Sequence, residues 1–119
     1  MINKIIDKFN INGKLVDYKT INSGIINNTY VITMNDNGNI SKYIVQKINT
    51  TVFTEPYKLM KNIEGVTGYL KRQLAKANDK KHQVLEIVKT KDNKTLCYVD
   101  DNGERDYYRI YEYIIRIIH

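Results

Sequence analysis

The chain has 119 residues, long enough to bury one core of sheet and helix and too short for two. Its formal net charge of +6, from 19 Lys and Arg against 13 Asp and Glu, brings nucleic acid forward as a partner. Most of those cations are lysines scattered along the chain rather than gathered into a patch, so nucleic acid is not the expected partner.

In chain order, Ile2, Ile5, Ile6 and Phe9 recur at helical spacing and predict a short amphipathic helix over the first nine or so residues, broken by Asn12 and Gly13. Three strands rich in β-branched and aromatic residues follow over 14–22, 29–35 and 42–49, joined by the turn sequences "SGIINN" and "DNGN". Thr54 stands where it caps a helix whose first turn holds Glu55 and Pro56. Tyr57, Met60, Ile63, Val66, Leu70 and Leu74 form its apolar stripe. Gly65 and Gly68 inside this helix each cost about 1 kcal/mol relative to alanine, so either something approaches closely there or the helix tolerates the cost. Beyond "KANDKKHQ", strand patterns return over 84–90, 94–100 and 106–114.

Cys97, the one cysteine, excludes an internal disulfide, and its place in the alternating run "TLCYVD" predicts a buried small hydrophobe. His82 and His119 have no carboxylate or cysteine at ligand spacing, so no metal ligands are assigned. No segment approaches the roughly 18 apolar residues of a membrane span, and the N-terminus lacks a secretory core, which leads us to expect a cytoplasmic chain without a membrane partner. The expected architecture is a single α+β domain over residues 1–119: an antiparallel sheet of about five strands, a short N-terminal helix, and one long helix inserted after the third strand.

On the third strand Tyr43, Val45 and Lys47 share one face, while Ile44, Gln46 and Ile48 share the other. Taken singly, Lys47 is a lysine snorkelling from a strand end and Glu64 a partly solvated helix residue. Taken together, a lysine closing the third strand and a glutamate on the helix that follows are what a kinase small lobe uses to hold the α- and β-phosphates of a nucleotide.

The runs "SGIINNTYVI", "YIVQKINTTVFTEPYKLMKNIEGVTGYL" and "LEIVKTKDNKTLCYVDDNGERDYYRIYEYI" resemble the N-terminal lobe of the aminoglycoside phosphotransferase and choline kinase superfamily, in particular its N-acetylhexosamine 1-kinase branch, over roughly residues 18–114. The resemblance implies a protein-kinase-like small lobe, ATP with magnesium as cofactor, and an amino sugar phosphorylated at its anomeric hydroxyl. It implies that Lys47 contacts phosphate with Glu64 as its helix partner, Glu55 being the runner-up. The turn "SGIINN" becomes the loop that covers the phosphates, through Gly24, Asn27, Asn28 and Thr29; read from the residues alone it is an ordinary hairpin turn. The last strand enters a hinge, where the carbonyl of Glu112 accepts from the adenine amino group and the N–H of Ile114 donates to a ring nitrogen.

In that family the aspartate that orients the acceptor, the asparagine after it and the magnesium aspartate belong to the C-terminal lobe, and no "HxDxxxxN" occurs in this sequence. No catalytic residue is therefore assigned, and the chain by itself is expected to be inactive. Its expected partners are ATP, a C-terminal lobe, and a second copy of the chain through the hinge end, where Ile114, Ile115, Ile117 and Ile118 crowd together. Two other classes stay open: a non-catalytic interaction module of the same descent that self-associates, and a basic nucleic-acid-binding domain.

Overall fold

The computed structural model describes residues 2–23, 27–50, 54–78, 86–101 and 103–112. Its elements are α1 (Ile2–Ile6), β1 (Lys14–Ser23), β2 (Asn27–Asp36), β3 (Asn39–Ile48), α2 (Pro56–Lys76), β4 (Cys97–Asp101) and β5 (Glu104–Glu112). The five strands form one antiparallel sheet in the order β1-β2-β3-β5-β4. This is the α+β architecture expected, with the long helix following the third strand.

Turn chemistry sets the first register. Asn37 at φ 52° and Gly38 at φ 94° form the two-residue connection of β2 to β3, a left-handed pair that matches the strand twist. The Gly38 N–H also donates to Asn35 Oδ1 at 2.8 Å. Gly13 enters β1 at φ 97°, and a Cβ there would stand 2.4 Å from the carbonyl oxygen of Asn35, so only glycine fits. Along β1 the register shifts between Leu15 and Asp17 and again between Thr20 and Asn22, two bulges that interrupt an edge strand.

Cross-strand partners share a face, so the register divides the sheet into two sides. One carries Ile32, Met34, Val45, Tyr108, Ile110, Cys97 and Val99, which pack with Ile5, Ile6 and Phe9 of the N-terminal segment and with Val88. The other carries Ile48 and Tyr107, which meet Met60 and Ile63 of α2 together with Leu96. The N-terminal segment and α2 thus cover opposite faces.

Several boundaries differ from the sequence reading. The helix N-cap is Glu55, at φ −124° and ψ 77°, and no side chain caps the helix. Pro56 at the first helical position holds its predecessor in the extended region, which moves the cap one residue past Thr54. Of the expected stripe only Met60 is buried; Tyr57, Val66 and Leu70 are exposed. The helix meets the sheet through its first turns, and further along it runs beside residues 86–89, to which Glu64 and Lys71 form ion pairs.

The strand expected over 84–90 is reduced, among the described residues, to two bridges: Ile87 with Tyr111, and Thr90 with Phe9. Residues 86–88 continue the β4 edge along β5, since the Val88 N–H donates to the Ile110 carbonyl and the Glu112 N–H to that of Glu86, both at 2.9 Å. Thr90 then turns the chain away. Its N–H donates to the Lys94 carbonyl at 2.7 Å and its hydroxyl accepts from the Lys94 N–H at 2.9 Å, and no strand resumes before Cys97.

Candidate functional site

The expected phosphate-binding residues converge at one end of the sheet. Asn28 of β2 is the register partner of Lys47 on β3, so both belong to the face that carries Val45 and Tyr108. Asn27 pairs with Ile48 and Thr29 with Gln46 in the same ladder. Gly24 lies outside the described residues, and so does Ile114. Glu112, the other hinge residue, is exposed at the end of β5 opposite Tyr43. It stands four residues along the strand from Tyr108, the partner of Lys47, or about 13 Å at the usual strand rise.

The expected pair of Lys47 with Glu64 is not formed. Lys47 Nζ lies 3.6 Å from Asp106 Oδ1, with the two side chains 36% and 20% exposed. Glu64 Oε1 instead accepts from Lys89 Nζ at 2.7 Å. The cause is strand alternation: α2 packs on the face of Ile48, Gln46 and Tyr107, and Lys47 points to the other side. A helix on that face brings its carboxylates to the edge segment 86–89, not to Lys47. Glu55, the runner-up, pairs with Lys58 one turn along its own helix, at 3.2 Å. The arrangement therefore departs from the one the resemblance implies, and Asp106 supplies the carboxylate that Glu64 was expected to bring.

A buried cation that the sheet turns toward α2 is Arg109. It is 9% exposed, its Nε donates to Gln46 Oε1 at 2.9 Å, and its Nη1 lies 3.7 Å from Met60 Sδ. Gln46 in turn donates from Nε2 to Thr29 Oγ1 at 3.3 Å, which completes a polar chain across β5, β3 and β2. Burial lowers the proton affinity of the Arg109 guanidinium, while the neighbouring Tyr111 ring acts in the opposite direction. An arginine stays charged through such a shift, so a fixed positive charge lies beneath α2. The signal was in the sequence: Gln46 alternates onto the face opposite Lys47, and "YYRIYEY" places one cation in an aromatic strand.

Among the described residues, no group of three His, Cys, Asp or Glu side chains is gathered to hold a metal ion. No helix among them is long and apolar enough to cross a membrane. Cys97 is buried, and desolvation pushes its thiol up to about 11. His82 and His119 lie outside the described residues. No protein-family model matches the chain.

Proposed function

We propose that this chain is the ATP-binding small lobe of a small-molecule kinase, of the aminoglycoside phosphotransferase type and with an amino sugar as acceptor, inactive without a C-terminal lobe. The observation that carries the reading is the order of the sheet, β1-β2-β3-β5-β4, with the long helix inserted after β3. That order sets Asn28, at the start of β2, opposite Lys47 near the end of β3, with β5 paired along the other side of β3. In this reading Lys47, with Gly24, Asn27, Asn28 and Thr29 through backbone N–H groups or short polar side chains, receives the nucleotide phosphates, and phosphate oxygens replace Asp106 at the Lys47 ammonium. Glu112 and Ile114 supply the adenine contacts. Magnesium enters with the phosphates, its protein ligands belonging to the other lobe.

A second reading is favoured by one observation, that Lys47 and α2 occupy opposite faces. A chain of the same descent that has become an interaction module needs no lysine–glutamate pair, and it associates with a second copy. Titration with Mg-ATP, followed by amide shifts and by thermal stability, separates the two. The kinase reading expects saturable binding in the sub-millimolar range or weaker, corresponding to no more than about 4–5 kcal/mol, that is lost in Lys47→Ala. Absence of binding, or binding indifferent to that substitution, supports the interaction module.

A further inference from the structure

We propose that the cavity of about 390 Å³ at the β4 edge is an anion site for a phosphate group, borne by a phosphate ester or a polyphosphate, and that Lys8, Lys91 and Lys94 form it. The proposal is independent of the nucleotide reading, because none of its residues belongs to that site.

Three observations carry it. First, the backbone holds the three lysines in fixed relation. The Lys91 N–H donates to the Lys8 carbonyl at 2.9 Å, and Lys94 is joined to Thr90 in both directions by the turn that ends the 86–90 segment. The Asn10 N–H adds a further bond to the Lys89 carbonyl at 2.9 Å, so the N-terminal segment and the 89–94 turn form one unit. An anion entering there finds the backbone that bears the cations already ordered.

Second, the cations are not paired among the described residues. None of the three ammonium groups makes an ion pair among the described residues. The one acid lining the cavity is Asp92, and its Oδ1 accepts from the Thr90 hydroxyl, which itself accepts from the Lys94 N–H. That hydrogen bond is the main reason the Asp92 carboxyl is held below its usual range, with Lys94 and Lys8 adding to the effect. Three cations against one carboxylate leave an excess of two positive charges at the cavity, which matches a phosphate dianion.

Third, Tyr57 and Tyr98, both exposed, line the same cavity, so its lining is aromatic as well as charged. A phosphate carried on an organic body can meet both kinds of side chain at once. Tyr57 comes from α2, Tyr98 from β4, and Lys8 from the segment after α1, so the site exists only in the folded chain.

Inorganic pyrophosphate, titrated at low ionic strength into the full chain and followed by residue-resolved amide shifts, tests this directly. Saturable shifts are expected at residues 8, 90–94 and 96–98, with affinity falling as salt is raised. The triple variant Lys8→Ser, Lys91→Ser, Lys94→Ser should weaken binding by at least about tenfold, while Lys14→Ser, Lys19→Ser, Lys42→Ser removes equal charge elsewhere and should leave it within about twofold. All six lysines are exposed, so both variants are expected to fold. No binding, equal losses in the two variants, or shifts centred on residues 27–29 and 47 would overturn the proposal. The shift map on the unaltered chain decides the matter even if a variant fails to fold. Loss of Mg-ATP binding in Lys47→Ala leaves this site standing, so the two proposals fail separately.

Discussion

At the level of single residues, two glycines make opposite predictions because they solve different problems. Gly13 sits at φ 97° with a carbonyl where a Cβ would go, so Gly13→Ala should cost more than about 1 kcal/mol. Gly65 is helical, and a Cβ built there meets nothing within 4 Å. Gly65→Ala should therefore stabilise the chain by about 0.5–1 kcal/mol, measured by denaturant unfolding. A loss instead would show that a partner approaches α2 at this point. Cys97 was legible as a buried thiol from the alternation around it, and burial has a chemical consequence. With the thiol pushed to about 11 from its ordinary 9.0, its thiolate fraction at pH 8 drops, and it should react with a disulfide reagent about a hundredfold more slowly than in the unfolded chain. The same shift sets a pH dependence. Between pH 9 and 11 the unfolded thiol has lost its proton and the folded one keeps it, so stability falls as pH rises through that window. Cys97→Ala should remove part of this slope. Tyr57 and Tyr111, whose hydroxyls burial also holds up, retain the remainder.

At the level of elements, the alternation and turn chemistry that define β1, β2 and β3 are local, and local patterns were readable. The placement of α2 was not. Its stripe at spacings of three and four identified a helix, but which sheet face receives it depends on the path from Ile48 to Pro56, for which the sequence has no periodic signal. The pairing of Lys47 with Glu64 failed for that reason alone. The 84–90 strand failed through competition: Thr90 bonds with Lys94 and forms a bridge opposite Phe9 in place of continuing along β5. The seating of α2 gives a prediction. Met60 is 1% exposed and joins Ile48, Leu96 and Arg109, so Met60→Ala should cost about 2–4 kcal/mol. Glu64→Gln should cost under about 1 kcal/mol, since its pair with Lys89 is about half exposed. If the two losses were reversed in size, α2 would be held by its ion pairs and not by its apolar first turns.

At the level of the whole molecule, the question is what the exposed apolar side chains do in solution. Self-association through the hinge end was expected, by strand pairing over 106–118 or by packing. The structure narrows the first route. From Glu104 to Glu112, β5 is an inner strand, with β3 along one edge and β4 followed by residues 86–88 along the other, so it has few backbone groups left to pair with another chain. The outer edges are also poor templates, because β1 is broken by two bulges and β4 has five residues. Residues 113–118 lie outside the described residues; among those described, what remains is side-chain packing. Val66, Tyr69 and Leu70 stand 59%, 54% and 44% exposed on α2, beyond the turns that touch the sheet. Single exposed apolar residues are ordinary, but three within two turns of one helix form a patch of the kind that association covers. Sedimentation over a range of concentrations should therefore give a mass that rises above 14.0 kDa. Substituting Val66 and Leu70 together by lysine should return it to the monomer without loss of stability, since both side chains lie in solvent. A mass that stays monomeric in the unaltered chain would remove association altogether. A dimer that survives the double substitution would move the contact away from this helix, to the hinge end.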